Sequence, residues 1–329
     1  MNGYILVNTK RKAKQMNNKK NMIICALIWG LFGSGAVLAQ EVAQNNGRDD
    51  ALSAWKGKVL QFRTEKDHEF KHSSTSPMAA TQRLTVKGEP GKPLYIAETN
   101  HVVTVSPQPV KPALFTALVQ NNQWTWERMD ARTVCMVADK PVSSGAPLVS
   151  EALFTGGECV IKVYTARDDL IVIVFDAARP QIQHFSQLLY YPPDPDFAVP
   201  ATLEKLPVAE PVMLTTSRNL KKNYYRYARI HFTLAGKELV LTAFKASLAD
   251  DEDGRMLFIP FGDLTNGTDT YDVGRFLEIP EPATAQFTLD FNLCFNPLCN
   301  YSDAYNCPIP PRENILDASI KAGEKTYPH

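Results

Sequence analysis

Beyond its first forty residues this chain carries no surplus of positive charge, no second long apolar run, no internal repeat and no low-complexity tract. Six of its 35 basic residues precede Ala39, which leaves 29 against 35 acids in the remainder. A nucleic-acid binder needs a basic footprint, so that class of partner is excluded. No later stretch approaches the roughly 20 apolar residues that cross a bilayer, so the mature chain has no expected transmembrane span. Histidine is scarce as well. From residue 211 onward only His231 and His329 occur, which leaves a cysteine–histidine nucleophile few candidates there. No metal site and no cofactor is expected.

Acid is missing from residues 1–21, which contain Lys10, Arg11, Lys12, Lys14, Lys19 and Lys20. The apolar run "MIICALIWGLFGSGAVLA" follows and ends in Val37-Leu38-Ala39. A basic start, a short apolar core and a small-x-small end read as a secretory signal peptide over residues 1–39, cleaved after Ala39. The rival is a retained anchor, but Gly30, Gly33, Ser34 and Gly35 weaken the run. The expected location is periplasmic or secreted. Cysteines 135, 159, 294, 299 and 307 would survive cleavage, and an oxidising compartment favours two disulfides and a spare thiol.

Residues 40–80 are expected to hold one helix and a linker. In "DDALSAWKGKVLQFRTEKDHEFKH", Leu52, Trp55, Val59, Phe62 and Phe70 recur near helical spacing, and Pro77 cannot continue the helix. Residues 81–190 change to period two or short apolar runs, such as "QRLTVKG", "CVIKVYTA" and "LIVIVFDA", separated by Gly, Pro, Asn and Asp turns. The Pro-rich passage 191–210 reads as a connector, and strands resume over 211–329. The fold class is therefore all-β: two sandwich or barrel-like domains behind one N-terminal helix.

"HEFKH" matches the zinc-protease pattern at His68, Glu69 and His72, yet Asp67 and Lys71 crowd it with charge and no third ligand is placed nearby, so the match reads as accidental. Cys135 and Cys159 fall on two candidate strands and suggest a cross-strand disulfide, worth roughly 3 kcal/mol. The densest stretch is "DFNLCFNPLCNYSDAYNCPIPPRENILDASIKAGEK", residues 290–325. Its spacing, Cys294-x4-Cys299-x7-Cys307, completes no zinc signature, so a Cys299–Cys307 disulfide closing a polar loop is expected. Asp290 and Asn292 alternate with apolar neighbours and share a strand face, while Asn296, Asn314 and the prolines favour fixed turns. Upstream, Asp263, Thr265, Tyr271 and Arg275 sit in a Gly-punctuated loop. Arg275 near Asp290 would be a structural ion pair or an anion-binding fork.

These two stretches, "LFIPFGDLTNGTDTYDVGRFLEI" and "LDFNLCFNPLCNYSDAYNCPIPPRENILDASIKAGEK", closely resemble the bacterial and archaeal domain of unknown function 1684 family. The matching positions include Asp263, Thr265, Tyr271, Gly274, Arg275, Asp290, Asn292, Asn296, Cys299, Cys307, Asn314, Gly323 and Glu324. Cys294 departs from the pattern, which makes it the expected spare thiol. The resemblance implies no activity, ligand or catalytic residue. The expected role is binding a small-molecule or polymer ligand of polar or anionic character, through Asp263, Thr265, Tyr271, Arg275, Asp290, Asn292, Asn296 and Asn314. The alternatives are a hydrolase with an Asp base and Arg275 as anion anchor, and a structural envelope protein without a pocket.

Overall fold

The structure, a computed structural model, describes residues 35–251 and 253–328. Most of the expected signal peptide, residues 1–34, lies outside them. Helix α1 spans Gly35–His72, longer at its start than the apolar periodicity indicates. Ten strands follow: β1 (Ala80–Lys87), β2 (Pro93–Thr99), β3 (Val102–Ser106), β4 (Phe115–Gln120), β5 (Gln123–Arg128), β6 (Val134–Val137), β7 (Lys140–Val142), β8 (Ala152–Thr155), β9 (Val160–Ala166) and β10 (Asp169–Phe175). After the single turn α2 (Pro180–Gln183) come β11 (Ala198–Thr215), β12 (Lys221–Leu234), β13 (Lys237–Lys245), β14 (Met256–Phe261), β15 (Arg275–Pro280) and β16 (Gln286–Asp290). The protein is mostly strand, in antiparallel sheets that include a half-barrel, as the period-two pattern predicts. Among the described residues no helix is long and apolar enough to cross a membrane.

The first ten strands form a six-stranded sheet, β1-β10-β9-β8-β6-β7, and a four-stranded one, β3-β2-β4-β5. Their inner faces meet: Phe115 of β4 stacks on Phe154 of β8 with ring centroids 3.8 Å apart, and Trp126 of β5 meets Phe154 edge-on at 5.2 Å. The last six strands form one sheet, β15-β14-β13-β12-β11-β16, lined inside by Ile230, Leu241, Leu257, Ile259, Phe261 and Phe291. A third apolar cluster fills the space between the two groups and draws on both, with Met78, Phe175 and Phe185 against Tyr224, Phe258, Phe276 and Tyr301.

Two expectations are corrected here. Within the Pro-rich connector, residues 198–210 belong to the long strand β11. Its prolines sit where a ladder bond is dispensable: Pro200 precedes Ala201, the first residue paired with β12, Pro207 falls in the register shift between Lys205 and Glu210, and Pro211 lies beyond residues 198–202, where β16 pairs. The Cys135–Cys159 disulfide is also absent, since the five cysteines among the described residues are free thiols. Cys135 lies opposite Phe154 on β8, and Phe154 opposite Ile161 on β9, beside which Cys159 sits. Two ladder steps of about 4.8 Å put the Cα atoms far beyond the ~7 Å a disulfide can span.

Candidate functional site

Most of the polar residues singled out in the C-terminal region hold the fold together. Arg275 and Asp263 form an ion pair at 2.6 Å, and both side chains are 0% exposed. The Arg275 guanidinium also donates to the carbonyls of Ile320 at 2.7 Å and Ala322 at 2.5 Å, while Asp263 Oδ1 accepts from the Thr265 amide at 2.7 Å. This network pins the C-terminal segment against the 263–270 loop. Asn314 bridges two strands, its amide nitrogen donating to Thr242 O and Pro260 O and its oxygen accepting from Thr242 N–H. Asn292 clamps Asp194 through both backbone groups, and Asn296 donates to Lys325 O. At Gly323, with φ 72°, a Cβ would collide with the Cys294 sulfur and backbone, so the chain passes there only as glycine.

Arg275 does not face Asp290 or Asn292, contrary to the sequence reading. β16 pairs with β11, and Arg275 opens β15 at the opposite edge of the sheet order. Asp290 instead accepts a hydrogen bond from Trp55 Nε1 of α1 at 2.7 Å. With no face of Arg275 open, neither an anion nor a substrate of the hydrolase alternative reaches it.

Sequence reasoning missed what α1 does. Its most buried stripe is Val59, Arg63, Lys66 and Phe70, two of them charged, whereas Leu52 is 45% exposed. The spacing i, i+4, i+7, i+11 would have found that stripe had the charges not been assigned to solvent. Arg63 donates to Tyr191 O at 2.7 Å and stacks over the Tyr190 ring at 4.6 Å. Lys66 meets Glu324 at 2.5 Å, and the other Glu324 oxygen accepts from Tyr301 OH at 2.6 Å and from the Asn296 amide at 2.7 Å. Burial, then the Glu324 charge, pushes the Tyr301 hydroxyl well above its ordinary value and keeps it a donor.

One singled-out residue belongs to a different kind of place. Tyr271 OH donates to Cys299 Sγ at 3.7 Å, and the Cys299 amide donates to Cys307 Sγ at 3.3 Å. The expected disulfide is not formed; the two sulfurs share hydrogen bonds as thiols. Hydrogen bonding with the Cys307 thiol, then with the Tyr271 and Ser217 hydroxyls, outweighs burial and lowers Cys299 to about 7, while Cys307 is driven well above the thiol range by that same bond and by burial. The segment is held from behind by the turn between β11 and β12, where Ser217 Oγ accepts from the Cys307 amide at 3.2 Å and the Arg218 guanidinium donates to Tyr305 O at 3.4 Å.

Around this pair stand cations from three segments: Arg83 on β1, Arg218 on the turn and Lys222 on β12. Burial, then the charge of Arg218, lowers Arg83. Burial brings Lys222 down to about 8, with the thiols opposing and Arg83 adding to the shift. A neighbouring cation thus adds to burial in lowering both Arg83 and Lys222. The corner lies where β1 of the first strand group meets the β11–β12 hairpin and the cysteine segment of the second.

The fold and these networks define an all-β protein whose C-terminal part is tied together by a buried Arg–Asp pair and asparagine bridges. That part carries the family: the profile described as "Protein of unknown function (DUF1684)" matches residues 183–325, and the chain belongs to the DUF1684 family. An uncharacterised protein of Haloarcula marismortui with a solution NMR structure is 38% identical over a match covering 46% of this chain and 83% of that one, with a TM-score of 0.39. No curated protein matches.

Proposed function

We propose that this is an exported anion-binding protein whose ligand is held in the corner formed by Arg83, Arg218, Lys222, Tyr271 and Cys299. The observation that carries the reading is the gathering of three cations, from β1, the 216–220 turn and β12, beside a half-exposed thiol. Basic groups gathered in one half-buried place set up a positive field that draws an anion. A phosphate, sulfate or carboxylate group supplies that charge, and Arg guanidinium forks suit its oxygens. The anionic ligand expected from the sequence is kept, and its anchor moves from the enclosed Arg275 to this corner.

Calorimetric titration of the purified chain with inorganic phosphate and with sulfate tests it. Binding of either, lost in Arg83→Ala and in Lys222→Ala with the fold intact by circular dichroism, is the expected result. Heats indistinguishable from buffer for both anions, or binding that survives both substitutions, would remove the reading. Export rests on the basic start and the apolar run ending in Val37-Leu38-Ala39. The intact mass of the mature protein should begin at Gln40, and a full-length chain in the membrane fraction would count against export.

A further inference from the structure

A second cluster, on the N-terminal side of the family region, has the chemistry of a metal centre. A ring nitrogen of His101, the Cys159 sulfur and a carboxylate oxygen of Asp176 all lie within 4.8 Å of one another. They come from three segments: the β2–β3 turn, the residue before β9, and the residue after β10. We propose that His101, Cys159 and Asp176 form a zinc-binding site with three protein ligands and one open position.

The donor set is the first argument. One thiolate, one imidazole and one carboxylate are the three donor types that zinc takes, at bond lengths of roughly 2.0–2.3 Å. Bonds of that length bring ligand atoms to about 3.3–3.8 Å from each other, a small contraction from the arrangement present. His101 Nδ1 already faces Asp176 Oδ1 at 3.2 Å. Its Nε2 faces Glu158 Oε2 at 3.7 Å, so a metal on Nδ1 leaves Nε2–H to donate to a carboxylate, the outer partner that orients metal-bound histidines.

The backbone is the second argument. Asn100 and His101 form a two-residue hairpin turn, closed by the Thr99–Val102 pair, with φ of 51° and 63°. Such a turn favours Asn-Gly, and His101 takes the left-handed second place that Asn122 and Asp139 take in two other hairpins of this chain, so the turn holds the imidazole in a fixed position. The loop before β9 is shaped with equal care. Glu98 accepts the amides of Glu158 at 3.1 Å and Cys159 at 2.8 Å, and a Cβ on Gly157 would collide with that carboxylate. Glu158 in turn accepts the His101 amide at 3.1 Å. The thiol is thus presented from a braced loop toward a braced turn. Glu98, Glu158 and Asp176 surround a single imidazole, so the place has negative charge to spare for a divalent cation. A His101–Asp176 ion pair with the Cys159 thiol donating to the His101 carbonyl at 3.6 Å is the competing account, and it needs no metal.

Cobalt(II) titration of the full chain separates the two, because a thiolate ligand gives a charge-transfer band that an ion pair cannot. One equivalent should bind with that band, and zinc should displace it. His101→Asn, which tolerates the turn's left-handed backbone, and Cys159→Ser should each abolish the band. Glu158→Gln should weaken binding roughly 10–100-fold. Cys299→Ser/Cys307→Ser should leave the band unchanged, which keeps the other thiols out of the account. A wild-type chain without the band, a band that survives His101→Asn or Cys159→Ser, or one lost with Cys299 and Cys307, overturns the proposal.

Discussion

Cys299 shows how far one residue's chemistry depends on its neighbours. Hydrogen bonds from Cys307, Tyr271 and Ser217 outweigh burial and hold its pKa at about 7, whereas burial raises Cys135, and burial against the opposing charge of Arg275 raises Cys294, each to about 11. Alkylation by iodoacetamide, followed by peptide mass mapping, should therefore begin at Cys299 with a rate midpoint near pH 7. Cys307→Ala should move that midpoint upward, because the thiolate then loses the hydrogen bond that lowers it most. Equal labelling of all five cysteines would contradict this. Arg275 is the opposite case. Enclosed, and paired with an enclosed Asp263, it should lose about 3–5 kcal/mol of stability on Arg275→Ala, because the aspartate is then left buried without its cation. Urea midpoints measure the loss, and an unchanged midpoint would show that the pair carries little.

At the scale of elements, α1 is a charged helix used as a core element. Its stripe inserts Arg63 and Lys66 between the 291–296 segment and the C-terminal strap, with Lys66 4.6 Å above the Phe295 ring and bonded to Glu324. Lys66→Met should cost about 3–5 kcal/mol because it strands the Glu324 carboxylate, and Lys66→Met/Glu324→Gln should recover much of the loss. Equilibrium denaturation of the two single variants and the double variant checks the pairing, and strictly additive losses would sink it. The sequence pointed to a helix here and to its end before Pro77, since both are local matters of spacing and ring chemistry. It did not reveal that the buried stripe is half charged. Lys66 becomes an inside residue only because Glu324, 258 positions away, is brought to it.

Over the whole molecule, the two strand groups share an apolar cluster, Ser302 Oγ donates across it to Ala80 O at 2.7 Å, and the proposed anion corner draws its cations from both sides. Anion affinity should consequently follow pH in one direction. Lys222 loses its charge above about 8, and the Cys299 thiolate appears as pH rises through about 7, so both changes repel or release an anion. Sulfate keeps its charge over this range, and its affinity should fall roughly tenfold or more between pH 6 and pH 9. Titrations at the two pH values decide it, and constant or rising affinity would contradict the assignment of Lys222 and Cys299.

The sequence alone determined the class of fold, the helix ahead of the strands and the family, because period-two alternation, turn residues and motif spacing are all written within a few residues of one another. It also marked the residues that matter in the C-terminal part. Their partners were another question. Arg275 was set against Asp290 on nearness in the chain, but β16 joined β11 and left Arg275 to Asp263. Cys135 and Cys159 looked like a bridge until two strand widths separated them. His101, Cys159 and Asp176 showed no shared motif, and neither did Arg83, Lys222 and Cys299. Strand order decides which distant side chains meet, and strand order is set by burial and hydrogen bonding across the whole chain, which only the tertiary structure resolves.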